Sequence, residues 1–348
     1  MKSEFVNATC LDGLIILKEH NLVFLATPAY DIFADHTCGN GELVENVNDF
    51  DISEDSKETY SSIELVSSWS NKIRFDDDGY VTYLDLGGRR LYKGLPCDYS
   101  VFGRDYFPRL TTLSLAGTDL PLKEILAILP YIESTIECFY LGGNGLGARG
   151  ARAIAASGLF QGETQRKLIK LDLRYNDIGG SGMVAISNAL MNKTIPSNNS
   201  LDDTTKPRNE QNVNIVQYLY LEGNNIGDDG CAALSELLLW QSQTKQGSES
   251  SSCVRIREVY LGANKIGPTG AECLASVLRV NKTISKMYLE GNAIGAQGAT
   301  VFCQVLEELK GDTGLKHLYV DNNNIGKEIS NRLARALRSD SVIQDLTT

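Results

Sequence analysis

Residues that build catalytic and metal centres are scarce in this chain. Its 348 residues hold three histidines, His20, His36 and His317, widely separated and outside any His-Glu-x-x-His or nucleophile-elbow pattern. The eight cysteines (Cys10, Cys38, Cys97, Cys138, Cys231, Cys253, Cys273 and Cys303) include no Cys-x-x-Cys pair, so metal-knuckle spacing is missing. They do not form the dense framework of a small secreted domain, and are expected to be reduced, acting as small apolar residues. No apolar run reaches the roughly 18 residues of a membrane span. The nearest, Leu11 to Ala29, is broken by Lys18, Glu19 and His20, and it lacks a basic start and a small-residue cleavage site. Basic charge is short too: 33 Lys and Arg against 44 Asp and Glu leave a net charge of −11, unlike the basic footprint of a nucleic-acid binder. The expectation is a chain with no cofactor, no metal and no enzymatic activity. Neither nucleic acid nor membrane is an expected partner, and the expected location is the cytoplasm, with the nucleus as a variant.

What the chain has in quantity is acid at one end and repetition everywhere else. Residues 1–60 carry 12 acidic and 3 basic side chains, and Ser53-Glu54-Asp55-Ser56-Lys57-Glu58 reads as a solvated linker. This segment has no repeat and is expected to be a cap or add-on, with a hairpin around Lys18 to Asn21. Residues 61–348 are expected to form one repeat domain. There the pattern Leu-x-Leu-x-x-Asn-x-Ile-Gly-x-x-Gly recurs, with its Asn at Asn144, Asn176, Asn224, Asn264, Asn292 and Asn323. Two earlier copies have Arg89 and Thr118 in that place, giving eight copies spaced by 29, 26, 32, 48, 40, 28 and 31 residues.

The pattern has a mechanical reading. Leu-x-Leu is a short strand with its leucines inward. The Asn amide, both donor and acceptor, can satisfy backbone groups where the chain turns. Ile-Gly-x-x-Gly then bends the chain into a helix whose small residues allow close packing on the sheet. One such unit cannot bury its apolar face, but stacked neighbours can. These residues resemble the leucine-rich repeat superfamily, in its ribonuclease-inhibitor-like class, as in Ran GTPase-activating proteins and the repeat domains of NOD-like receptors. The resemblance covers about residues 78–348 and implies an α/β fold: a right-handed solenoid or horseshoe, with a parallel sheet on the concave face and helices on the convex one. The first copy, Val81 to Pro96, looks closer to plant-type repeats, and Ile343-Gln-Asp-Leu346 begins a ninth strand that closes the C-terminal edge. Two polar insertions, near 192–214 and 241–253, account for the long spacings and project from one rim.

Several motifs invite a sharper reading. Gly145-Leu-Gly147-Ala-Arg-Gly150 has the form of a dinucleotide fingerprint, but Gly147 and Gly150 are the repeat's own glycines. Asp76-Asp77-Asp78-Gly79 reads as a turn before the first repeat, since calcium loops alternate their acids. The sequons at Asn192 and Asn281 fall at helix-to-strand junctions and are read as structural; those at Asn7 and Asn198 matter only in a secreted protein. Glu290 and Asp321 hold equivalent places on adjacent strands, about 5 Å apart at strand spacing, which is also the separation of a retaining glycosidase pair. Lys286, Lys316 and His317 are expected on the same face, neutralising them.

The strongest functional feature is a column. The residue between the paired leucines points away from the core, and along the copies it is Asp85, Ser114, Tyr140, Asp172, Tyr220, Tyr260, Tyr288 and Tyr319. Beside it lie Arg174, Glu222, Glu290 and Asp321 on one side, and Tyr218, Glu258, Lys286 and His317 on the other. An aromatic row on a solvent-facing surface supplies rigid contact area, so these residues are expected to hold a protein or peptide partner. On this reading Tyr220→Ala costs about 1 kcal/mol or less. The alternative is a regulator of a small GTPase, which the resemblance to Ran GTPase-activating proteins implies, although no functional residue of theirs is matched here.

Overall fold

A computed structural model describes residues 72–88, 99–160, 168–191, 216–243, 256–338 and a last strand at 345–347. Residues 1–60, the 192–214 insertion, Arg89, Gly94 to Pro96, and the sequons at Asn7, Asn192 and Asn198 lie outside the described residues. The chain divides into two compact units, Met1–Asn144 and Gly145–Thr348.

In the first unit, strands β1 (Ile73–Phe75) and β2 (Val81–Asp85) form an antiparallel hairpin. The Asp76–Gly79 stretch is its turn, as the sequence suggested. Asp76 accepts from the backbone N–H groups of Asp78 and Tyr80, and Arg109 bridges Asp76 and Asp78 at 2.7 and 2.6 Å while lying over the Tyr80 ring. Strands β3 (Thr112–Ser114) and β4 (Cys138–Tyr140) then add in parallel to β2. Helix α1 (Leu122–Ile132) turns Ile125, Ile128, Leu129 and Ile132 into the core, the one-sided spacing of a half-buried helix.

In the second unit, strand and helix alternate: helix α2 (Gly147–Ala156), β5 (Lys170–Asp172), α3 (Gly179–Leu190), β6 (Tyr218–Tyr220), α4 (Gly227–Gln243), β7 (Glu258–Tyr260), α5 (Pro268–Val277), β8 (Lys286–Tyr288), α6 (Gly295–Leu309), β9 (His317–Tyr319), α7 (Lys327–Arg338) and β10 (Asp345–Thr347). Strands β5 to β10 pair in parallel without a register shift. The middle residue of each strand from β5 to β9 (Leu171, Leu219, Val259, Met287, Leu318) is fully buried, as are Leu173, Leu221, Leu261 and Leu289 just beyond. The repeat is therefore an α/β leucine-rich-repeat solenoid unit, and the ninth strand extends the sheet as expected.

The repeat Asn residues are the fasteners between neighbours. Asn224 donates to the carbonyls of Leu221 and Leu173, both at 2.8 Å, and accepts from the backbone N–H of Asn176 at 3.0 Å. Asn264 does the same for Leu221 and the N–H of Asn224, and Asn292 serves Leu261 and the N–H of Asn264. In the first unit, Thr118 takes the Asn place: its hydroxyl donates to Leu115 at 2.8 Å and its N–H to Asn144 at 3.0 Å. Buried polar groups are tolerated because each is bonded.

The glycines are equally structural. Gly179, Gly227 and Gly295 open their helices at φ near +60°, a left-handed conformation that side chains disfavour. A Cβ on Gly230 would collide with Ile226. Gly147 and Gly150 play these same two parts, which disposes of a nucleotide fingerprint.

Two expectations need correction. Gln241 was assigned to a polar insertion, but the helix runs on to Gln243, and buried Gln241 is bonded at both ends to the backbone of Ile256. A long polar side chain can enter the core when it replaces a missing backbone bond. Cys138 is disulfide-bonded, not reduced, whereas Cys231, Cys273 and Cys303 are free. Spacing in a sequence carries no connectivity, so this bond was not legible there. Asn281 is structural as expected, accepting from the N–H groups of Thr283 and Ile284 and donating to Leu238. No helix among the described residues is long and apolar enough to cross a membrane.

Candidate functional site

Strand register aligns the column residues. Asp85, Ser114 and Tyr140 are cross-strand partners in the first unit. In the second, Asp172, Tyr220, Tyr260, Tyr288 and Tyr319 follow one another across five strands. Four of these rings are stacked: centroids lie 4.3 Å apart for Tyr220 and Tyr260, 4.2 Å for Tyr260 and Tyr288, and 4.5 Å for Tyr288 and Tyr319. The spacing is slightly under that of the strands themselves, so each ring leans onto the next. The Arg174 guanidinium lies 5.1 Å from the Tyr220 ring centre.

Stacking changes what the column offers. Tyr220 and Tyr260 are only 5% and 7% exposed, while Tyr288 and Tyr319 are half-buried. The column was expected to face solvent with broad aromatic area. In fact the ring faces cover one another, and Tyr288 and Tyr319 are the two that keep appreciable exposure.

The flanking rows settle most of their charge internally. Asp172, almost fully buried, holds Arg174 through two contacts at 3.0 and 2.7 Å. Glu258 accepts the Tyr260 hydroxyl at 2.8 Å and pairs with Lys286 at 3.2 Å. Burial and the neighbouring Tyr220 push the Tyr260 hydroxyl up, with the Glu258 bond acting the same way. The Nζ of Lys170 sits 5.1 Å from the Tyr218 ring centre, and burial pulls its ammonium down. Lys286 is thus engaged with Glu258, and Lys316 is exposed one residue ahead of β9, on the other alternation phase from His317. The expected neutralisation of Glu290 and Asp321 by these lysines does not form.

Glu222 stands out. Burial raises its carboxyl to about 7; Arg174 opposes this, while Asp172 and Glu290 add to it. One of its carboxylate oxygens is shut off from water and has no hydrogen-bond partner. Burial also raises Glu290, and Asp321 contributes. The Nδ1 of His317 is likewise buried and unbonded. Among the described residues no group of three or more His, Cys, Asp or Glu side chains converges as metal ligands would.

Three residues went unnoticed in the sequence. Lys170 shares the row of Tyr218 and Glu258, and the alternation rule would have found it. Tyr175, 55% exposed, lies against Gly223. Gly262 occupies the row of Glu222 and Glu290, where its signal is a missing side chain.

A family model described as "Leucine Rich repeat" matches residues 134–155, 164–187, 215–235 and 255–275. No curated protein matches the chain. Among solved structures, the chain is similar to leiomodin-1 actin-binding site 2, at 18% identity over 34% of this chain and a TM-score of 0.28, spanning 61% of that chain's length. It is also similar to the leucine-rich repeat-containing protein LegL7 from Legionella pneumophila, at 21% identity over 81% of this chain and 77% of that one, with a TM-score of 0.45. In these four matched segments, fastened to one another by their Asn residues, the chain carries leucine-rich repeats.

Proposed function

We propose that this chain is a non-enzymatic protein–protein interaction scaffold of the ribonuclease-inhibitor-like class, holding a protein or peptide against the tyrosine face of its second unit. The observation that carries this reading is the register-locked row of four stacked tyrosines with charged residues on both sides. A parallel sheet that needed only to bury its leucines has no use for such a row. Held rigid by its neighbours, each ring has little rotamer freedom left to lose on binding. Tyr218, Glu258, Lys286, Tyr288, Glu290, His317, Tyr319 and Asp321 are half-buried on this face and form its proposed contact surface, with Asp172, Arg174, Tyr220, Glu222 and Tyr260 supporting them. Tyr140 is the corresponding contact of the first unit.

Crosslinking mass spectrometry on the full chain in cell lysate tests the reading. Partner crosslinks should cluster at Lys286 and its neighbours, and changing Tyr288 and Tyr319 together to Ala should abolish capture. Partners linked through the helix side and indifferent to that change would overturn it.

A further inference from the structure

Six repeat Asn residues fasten the copies, and one of them differs from the rest in its chain neighbour. Asn176, Asn224, Asn264, Asn292 and Asn323 are followed by Asp177, Asn225, Lys265, Ala293 and Asn324, and none of the five is more than 7% exposed. Asn144 is followed by Gly145, and it is half-buried beside that exposed glycine. The chain's other Asn-Gly pair, Asn40-Gly41, lies outside the described residues.

An Asn side-chain amide and the backbone nitrogen of the next residue can close a five-membered ring. A side chain on that next residue hinders the approach, and glycine has none. At Gly145 the approach is open. A Cβ placed there would have nothing within 4 Å, and among the described residues its N–H donates to no oxygen. The carbonyl to be attacked is already polarised. Asn144 Oδ1 accepts from the Thr118 N–H at 3.0 Å. The Thr118 hydroxyl lies 2.9 Å from the same oxygen and can turn its proton there from the Leu115 carbonyl. Donors aimed at an oxygen where negative charge develops lower the barrier to forming it.

We propose that Asn144-Gly145 is a self-modifying site, where the chain converts one of its own fasteners into a carboxylate. The Gly145 nitrogen gives up its proton and bonds to Asn144 Cγ, the Cγ–Nδ2 bond breaks, and Nδ2 leaves as ammonia. Water then opens the cyclic imide at either carbonyl. One opening gives aspartate; the other gives isoaspartate, with the main chain rerouted through the side chain.

Nδ2 donates to the carbonyls of Leu115 at 2.7 Å and Leu141 at 2.9 Å, which hold the amide until the loop opens. Conversion is therefore slow beside folding, and it records the age of the chain. Its product has no N–H for either carbonyl and sets a negative charge against both, which loosens the first unit at that fastener.

Peptide mapping by mass spectrometry tests this on the full chain, held folded at mildly alkaline pH and sampled over time. The peptide spanning residues 144 and 145 should exchange ammonia for water and split into aspartyl and isoaspartyl forms. It should do so about tenfold or more faster than any peptide holding the other five fasteners. Meanwhile the urea midpoint should drift down toward that of Asn144→Asp. Gly145→Ala should slow conversion about tenfold or more and remove the drift. Conversion at residue 144 no faster than at the five buried fasteners, or undiminished in Gly145→Ala, would overturn the proposal. A midpoint unmoved in Asn144→Asp would overturn the loosening. If Gly145→Ala fails to fold, the comparison of the six fasteners in the parent chain decides alone.

Discussion

Tyr260 and Tyr288 lie ring on ring, 4.2 Å between centroids and 7° from coplanar. Neither strand alone could hold its ring at that angle. The arrangement belongs to the register, which places like residues opposite each other along the sheet.

Because Tyr260 has a ring on both sides and Tyr319 is stacked on Tyr288 at the end of the four, truncation should not cost the same at each place. Tyr260→Ala is expected to lose about 2–3 kcal/mol and Tyr319→Ala about 1 kcal/mol. Tyr220→Ala should fall near 2 kcal/mol, above the cost of an exposed strand tyrosine. Leu221→Ala, in the core, should cost about 2–5 kcal/mol. Urea melts of the four variants check the order; equal losses at Tyr260 and Tyr319 would contradict the stack.

Glu222 makes stability depend on pH. Its carboxyl is raised to about 7 in the folded chain, above its value in the unfolded one. The folded state therefore holds a proton that the unfolded state releases, and this contribution is complete below the unfolded pKa and lost as pH rises through about 7. Glu222→Gln keeps the shape and removes the titration. It should be more stable than the parent at pH 8, by on the order of 2 kcal/mol, and nearly equal to it at pH 4. Denaturation at both pH values decides; an equal difference at the two would exclude the carboxyl as the source.

Asn224→Ala should be among the most damaging single changes. It removes donors from the carbonyls of Leu173 and Leu221 and an acceptor from the N–H of Asn176. The buried N–H of Asn176 loses its acceptor, while the carbonyls of Leu173 and Leu221 each fall back on one remaining donor, Asn176 and Asn264, so a loss of about 2–3 kcal/mol is expected. Chemical denaturation measures it, with Glu272→Ala, an exposed helix position, as the control.

Glycine to alanine should split by position. At Gly230 the added methyl meets Ile226 head-on, and a loss of about 2 kcal/mol or more is expected. At Gly262 the nearest atom is the Glu290 carbonyl oxygen at 3.4 Å, so the change should fall within about 1 kcal/mol. Thermal melts of both variants suffice, and equal losses at the two positions would contradict the split.

The repeat, the inward leucines and the role of the Asn residues were legible because each recurs at a fixed place and serves one physical need. The column was legible as an alignment, but its burial was not: exposure of Tyr220 depends on how Tyr260 and Arg174 lean, which one strand's sequence does not contain. The β1 hairpin escaped notice because Ile73-Arg74-Phe75 is too short to show a period and matches no repeat. Gly262 was hidden for a simpler reason, since pattern reading looks for side chains and the feature is the lack of one.

The Asn fasteners have a direction. Each bonds its own strand's carbonyl and also reaches back to the carbonyl and N–H of the copy before it, so a copy is completed only with its successor. The natural unit of gain or loss is then the interval from one Asn to the next, whatever its length. An interval of 48 residues between Asn176 and Asn224 is tolerated as readily as one of 28 between Asn264 and Asn292. Length can vary between fasteners without touching the contacts that join copies, whereas losing a single Asn removes the bonds that complete the copy before it.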